Sequence, residues 1–246
     1  MSLMYIIKQY IKEGDSIMNH IVFDIEATCD SNRGFPMETI EIGAVKVNEE
    51  LEIIDKFDVF IKPYKSFITQ YCTNLTTITE DDMKEAVSFS IGIKKFIEFV
   101  GEDYELLSWG YYDKKQLIKD CKVHNLDYAF LDNHENLKEI YTDVLGVKAR
   151  GLMKATRNLK ITFEGNHHRA LPDALATAKI FIELEKKKER HVYCTDCVRG
   201  NLLINAIIED RKIPNNCEKC YPYNPEDSFP MELRKMYKGK SGDYNG

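Results

Sequence analysis

No stretch of the sequence holds 18 or more consecutive apolar residues, so nothing in it should span a membrane. A secretory leader is missing too. The first 17 residues, MSLMYIIKQYIKEGDSI, are interrupted by Lys8, Lys12, Glu13 and Asp15 and contain no small-residue cleavage site. The expected location is therefore the cytoplasm. Met18 stands directly before the first predicted strand and could be the natural start, with residues 1–17 as an extension. Positive charge is in deficit: 34 Lys and Arg face 40 Asp and Glu, a net charge of -6. That argues against a protein that coats nucleic acid through bulk charge. It does not exclude a nucleic-acid enzyme, because metal-binding carboxylates inflate the acidic count while bound cations reverse its sign locally. With no leader, the seven cysteines are expected to be reduced thiols rather than disulfides.

What remains is an ordinary globular composition, 43% hydrophobic and 30% charged over 246 residues, enough for one main domain and something small. The most informative stretch is Ile21 to Cys29, IVFDIEATC. Apolar residues lead into Asp24 and Glu26, and a strand places residues two apart on one face, so both carboxylates project side by side. Two such anions repel, and a divalent cation with hard oxygen ligands would relieve them.

Asp30 to Pro36 reads as a loop, and Thr39 to Asn48 and Leu51 to Ile61 as two further strands of an antiparallel meander. Glu38 and Glu41 lie nearby but read as solvated strand-end carboxylates. Ser66 to Thr79 is polar and dotted with aromatics, hence a functional loop. Thr79 with Glu80, Asp81 and Asp82 reads as the start of a helix reaching Val100 and closed by Gly101. Leu106 and Leu107 form a short buried strand, Trp109 packs in the core, and Asp113 opens the next helix. A short strand is expected at Ala129 to Leu131, and helices at about Asn136 to Leu145 and Gly151 to Leu159. Phe163 to His168 is a loop leading into a long helix with Pro172 in its first turn and a stripe of Leu171, Leu175, Ala178 and Ile182. Asp173 lies in that first turn, and His168 stands five residues before it, so both can face one cleft.

The motifs FDIEAT, SWGYYD and HHRALPD, in that order, resemble the three motifs of the DEDDh exonuclease superfamily. ETIEIGAVKV, YCTNLTTIT and GLMKATRNLKITFEGNHH further resemble the branch containing sporulation-inhibitor-like bacterial proteins and small-RNA-trimming exonucleases. The resemblance covers about Ile21 to Glu185. It implies an α/β, RNase H-like fold and removal of nucleotides from single-stranded RNA or DNA 3' ends, RNA somewhat favoured, with a nucleoside monophosphate as product. Two-metal hydrolysis would use Asp24, Glu26, Asp113 and Asp173 to hold two Mg2+ or Mn2+ ions, with His168 as general base. His167 would be a flanking residue. Backbone groups at Ala27 and Thr28 could touch the terminal sugar or phosphate, and Tyr71, Leu75 and Tyr112 match positions that sandwich the terminal base. The chain departs from the family pattern at Thr77, where Gly is common. If a positive φ is needed there, the loop should be rearranged.

Beyond the match, Cys194, Cys197, Cys217 and Cys220 form two C-x-x-C pairs separated by 19 residues, a spacing that suits one structural Zn2+. The apolar segment NLLINAIIED between them must bury against the exonuclease domain or a protein partner. The expected organisation is an extension over 1–17, an exonuclease domain over 18–190, a zinc module over 191–225 and a flexible tail over 226–246. A different class of protein also fits: a catalytically silent, zinc-stabilised nucleic-acid-binding or regulatory protein on the exonuclease fold. The complete acid set and His168 weigh against it.

Overall fold

A computed structural model of the chain describes residues 18–32 and 34–192. The expected zinc cysteines, the extension before Met18 and the tail lie outside the described residues. The described residues fall into two compact units, one drawn from residues up to Leu137 and Arg150–Ile180, the other from Lys138–Ala149 and residues from Phe181 on.

The larger unit is built on a mixed five-stranded sheet in the order β3-β2-β1-β4-β5. Strands β1 (Asn19–Ala27), β2 (Thr39–Val47) and β3 (Ile53–Phe60) form the expected antiparallel meander, and β4 (Tyr104–Ser108) and β5 (His134–Asn136) continue it in parallel with β1. The helices are α1 (Gln70–Thr76), α2 (Phe89–Val100), α3 (Tyr112–Val123), α4 (Leu137–Leu145), α5 (Leu152–Asn158) and α6 (Ala170–Val192). This is the α/β arrangement expected of an RNase H-like exonuclease. None of the described helices is long and apolar enough to cross a membrane.

Period-two alternation along β1 divides its side chains between two faces. Ile21, Phe23 and Ile25 enter the main core with Ile42, Ala44, Leu106, the α2 stripe Phe89, Ile93, Phe96 and Val100, and Leu117 and Cys121 of α3. Phe23 is fully buried, with its ring 5.7 Å from that of Phe96. Asp24 and Glu26 occupy the opposite face. There Gly43 pairs with Asp24 across the β1–β2 ladder, and a Cβ on Gly43 would lie 2.1 Å from the Leu171 backbone nitrogen. The start of α6 therefore rests directly on the sheet, at a distance that only glycine permits.

Several local expectations are corrected. The segment Ser66 to Thr79 is not all loop: Thr69 caps α1, its hydroxyl accepting the Cys72 amide at 3.0 Å. With only Cys72 and Thr76 buried on this two-turn helix, it carries no visible apolar stripe. The helix expected from Thr79 is broken. Asp82 accepts both the amide and the hydroxyl of Thr79 at 2.8 Å, yet only one 3-10 turn follows, Asp82–Glu85. Val87 instead joins the sheet edge, its amide donating to Phe60 and its carbonyl accepting from Lys62, so α2 starts later, at Phe89. Ala129–Leu131 is a 3-10 turn, and the strand is the polar triplet His134–Asn136.

On α6 the buried residues in this unit are Ala170, Asp173, Ala174, Ala176, Thr177, Ala178 and Ile180, while Leu171 and Leu175 are half-buried. Small residues form the contact face because the helix lies so close to β2. In the other unit, Thr142 on α4 donates its hydroxyl to Lys138 and accepts the Ala149 amide.

Candidate active site

Four acids converge from three elements. Asp24 and Glu26 come from β1, Asp113 from the first turn of α3 and Asp173 from the first turn of α6. Carboxylate oxygens of Asp24, Glu26 and Asp173 all lie within 4.8 Å of one another. Asp113 and Asp173 are each only 5% exposed, a costly place for uncompensated charge.

The electrostatics carry the mark of that crowding. The Asp24 carboxyl is held well above its ordinary range, first by burial and then by repulsion from Asp113, Glu26, Asp173 and Glu41. Burial, with repulsion from Asp173, Glu41 and Asp113, pushes Glu26 up to about 8. Asp173 is also raised by burial, though N–H groups of His167 and His168 draw it back. Repelling carboxylates with mutually close oxygens fit a hard divalent cation, whose charge would reverse each of these shifts.

His168 sits on the loop before α6 with φ 62°, a left-handed conformation uncommon for a non-glycine residue and typical of strained functional loops. Its amide donates to Asp173 Oδ2 at 3.3 Å, and its ring stacks on that of His167 at 4.0 Å. Burial, and then the neighbouring His167, lower its pKa, which favours the neutral imidazole. His167 Nδ1 lies 2.9 Å from Asp173 Oδ1. Thus His167 orients the carboxylate, while His168 is the imidazole whose backbone is tied to it. His167, His168 and Asp173 also bring one donor atom each within 4.8 Å.

Glu41 is the main correction to the sequence reading. It is not a solvated strand-end carboxylate but fully buried, paired with Glu26 across the ladder. Arg169 donates to it through Nε at 3.0 Å and Nη2 at 2.8 Å, and the Ala170 amide adds a third bond at 2.9 Å. Asp58 on β3 completes the group, raised to about 6 by burial and by Glu41 against the lowering effect of Arg169. This network anchors the first residues of α6 to β2, setting His168 and Asp173 beside Asp24 and Glu26. The signal was present in the sequence: Glu41 stands two residues before Gly43, hence on the face of the acids and of the α6 contact. Glu38, by contrast, clasps the loop after β3 by accepting the amides of Lys65 and Ser66 at 2.8 and 2.6 Å.

Thr28 is fully buried. Its amide donates to the Glu38 carbonyl at 2.8 Å and its hydroxyl to the Pro36 carbonyl at 3.0 Å. Those groups hold the loop, and Ala27 is also buried, its carbonyl accepting the Cys72 thiol at 3.8 Å. Tyr71 and Leu75, one turn apart on α1, are 49% and 40% exposed, and Tyr112 at the start of α3 is 49% exposed. Phe67 is a further exposed aromatic, packed edge-on against Phe35 at 5.6 Å. Trp109 is buried, as expected, and donates its indole N–H to the Arg150 carbonyl at 3.1 Å. Thr77 does adopt a positive φ of 62°, its amide donating to the Thr73 carbonyl at 2.8 Å. The expected rearrangement is absent: the loop keeps the left-handed cap and bears the strain of a β-branched residue in it.

The profile of the RNase T family, described as exonuclease, matches residues 21–181. The probable 3'-5' exonuclease KapD of Bacillus subtilis is 28% identical over 176 residues, covering 69% of this chain and 85% of that protein. The PolC-type DNA polymerase III of Clostridium perfringens is 33% identical over 201 residues, covering 79% of this chain but only 13% of the polymerase. The solved nuclease domain of 3'hExo, a DEDDh family member bound to rAMP, superposes with a TM-score of 0.65 at 26% identity, covering 70% of this chain and 94% of that one. The converging acids, the flanking histidine pair and these likenesses agree: the chain belongs to the RNase T exonuclease family and is a 3'-5' exonuclease of the DEDDh type.

Proposed function

We propose that this chain removes nucleoside monophosphates one at a time from single-stranded 3' ends by two-metal hydrolysis, with RNA somewhat preferred over DNA. The observation that carries the reading is the buried acid set, in which Asp24, Glu26 and Asp173 bring oxygens within 4.8 Å of one another. Asp24, Glu26, Asp113 and Asp173 would hold two Mg2+ or Mn2+ ions, which when bound neutralise the phosphate and polarise its bond to the leaving oxygen. His168 takes the proton from the attacking water. Its lowered pKa keeps it in the accepting form near neutral pH, and the Asp173 contact to its amide fixes the loop that carries it. The water oxygen bonds to phosphorus as the bond from phosphorus to the 3' oxygen of the penultimate nucleotide breaks, and that oxygen leaves as the new 3'-hydroxyl by taking up a proton from solvent, while His168 returns its own proton to solvent. His167 positions Asp173. Tyr71, Leu75 and Tyr112 present exposed faces on which a base of any identity can stack. The preference for RNA is supported by the rAMP held by the 3'hExo nuclease domain.

The test is digestion of end-labelled single-stranded RNA and DNA oligomers with Mg2+ or Mn2+. The parent should shorten both stepwise from the 3' end, RNA faster, and chelation should stop it. Asp24→Asn should abolish the reaction, and His168→Ala should slow it by about 10²- to 10⁴-fold. Degradation that survives chelation or Asp24→Asn would refute the reading. The C-terminal cysteines are proposed, from their spacing alone, to hold a structural zinc. Metal analysis of reduced, chelator-free protein should then find about one zinc per chain.

A further inference from the structure

Charge is unevenly distributed. Between Asp143 and Glu164 the sequence has no acidic residue, although the chain as a whole is acidic. In this interval α5 buries Leu152, Ala155 and Thr156 against the larger unit, while Arg150, Lys154, Arg157 and Lys160 are all exposed. Lys154 and Arg157 lie three residues apart on the exposed face of α5, and Arg150 and Lys160 stand in the segments just before and after the helix. Arg157 is held along the helix by its Nε bond to the Met153 carbonyl at 2.9 Å. Other helices neutralise their lysines, as with Lys94 and Glu98 on α2 or Lys186 and Glu183 on α6. Among the described residues none of these four cations forms a salt bridge.

The chain links the stripe to elements of the acid site at both ends. Arg150 holds the indole of Trp109, four residues before Asp113 and three before the exposed Tyr112. Past the other end, the Ile161 amide returns to Thr156 at 2.9 Å, and the chain runs on to Phe163, whose ring packs edge-on against His167 at 5.8 Å. At about 1.5 Å per residue the α5 helix, Leu152–Asn158, is about 10 Å long, and Arg150 and Lys160 add a cation before and after it. Unpaired cations on and beside a short helix have the charge of an electrostatic groove for a single strand.

We propose that Arg150, Lys154, Arg157 and Lys160 form the track for the phosphate backbone of the single strand, upstream of the nucleotide being removed. The assignment rests on the exonuclease reading of the acid site. It identifies the partner surface as one that reads phosphate charge and not base identity, so it should act equally on every sequence and weaken with salt.

The experiment compares Lys154→Gln/Arg157→Gln with the charge-matched control Lys94→Gln/Lys95→Gln on α2, measuring KM for a 20-nucleotide single strand and for a dinucleotide over a series of KCl concentrations with Mg2+ present. The α5 variant should raise KM for the 20-mer about tenfold at low salt and lower the slope of log KM against log salt by about 1.4, since each phosphate contact on a single strand contributes about 0.7. The single variant Lys154→Gln should give about half that change in slope. The ratio of the two KM values should fall toward that of a protein indifferent to strand length, and the α2 control should keep the parent's slope. An α5 variant with the parent's KM and slope, or a control that shifts as much, overturns the track while leaving the exonuclease reading standing. A parent protein that digests neither substrate overturns the reading itself.

Discussion

The two faces of β1 are made from alternate residues of one strand and obey opposite physics. Ile21, Phe23 and Ile25 point into an apolar core sealed by α2 and α3. Asp24 and Glu26, between and beyond them, point into a buried cluster of like charge where every strong neighbouring charge on Asp24 is negative. The first face supplies the stability that holds the second in an arrangement it would not adopt alone. Burial that is favourable for Phe23 is what raises Glu26 to about 8. A site of this kind is poised for a cation, and its cost is met by packing on the far side of the same sheet.

The comparison breaks most directly on the apolar side. Phe23→Ala should destabilise the protein by about 3 to 5 kcal/mol through lost burial and an unfilled cavity, read as a fall in the denaturation midpoint. A loss below about 1 kcal/mol would mean that the core does not carry the acid face. Comparable damage is expected where the polar face borrows a buried ion pair. Arg169→Met alone leaves Glu41 buried and unpaired and should cost about 3 to 5 kcal/mol, whereas adding Glu41→Leu should recover much of that loss. If the double variant is no better than the single, the pair does more than neutralise itself.

A smaller effect concerns pH. With its carboxyl at about 8, against an ordinary 4.5, Glu26 binds protons more tightly in the metal-free folded state than in the unfolded one. Its contribution to metal-free stability is present below pH 4.5 and is lost as pH rises through 8. Cation binding requires the ionised form, so apparent affinity for Mn2+ should climb with pH up to about 8 and then level, with protons released into buffer during calorimetric titration. A flat profile between pH 6 and 8 would contradict the raised acid. The mildest change is Thr77→Gly, which relieves the left-handed strain but gains unfolded-state entropy. It should move stability by no more than about 1 kcal/mol, in the stabilising direction, and a marked loss would show that the threonine side chain holds the loop.

Much of this was legible in the residues. The β1 acids, the meander, Asp113 at a helix start and the His168–Asp173 spacing follow from short-range pattern, because period-two and first-turn positions fix where side chains point. What escaped depends on partners far apart in sequence. Glu41 looked like a surface acid because its cation, Arg169, lies 128 residues away. Of the expected α6 stripe only Ala178 is buried, with Leu171, Leu175 and Ile182 half-buried, because the close approach to Gly43 selects small residues. Helix α1 was hidden because its buried positions are a cysteine and a threonine, and the helix from Thr79 was overstated because a good capping pair does not foresee that Val87 is taken by the sheet edge.

The measurement that tests the central claim most directly is thermal unfolding of the parent and of Asp24→Asn, each with chelator and with excess Mn2+. The account predicts that without metal Asp24→Asn melts above the parent, since one repelling charge is gone. Mn2+ at about 100 times its dissociation constant should then stabilise the parent by about 2.7 kcal/mol while leaving the variant nearly unmoved. A variant that melts below the parent in chelator, together with equal responses of both proteins to Mn2+, would contradict it.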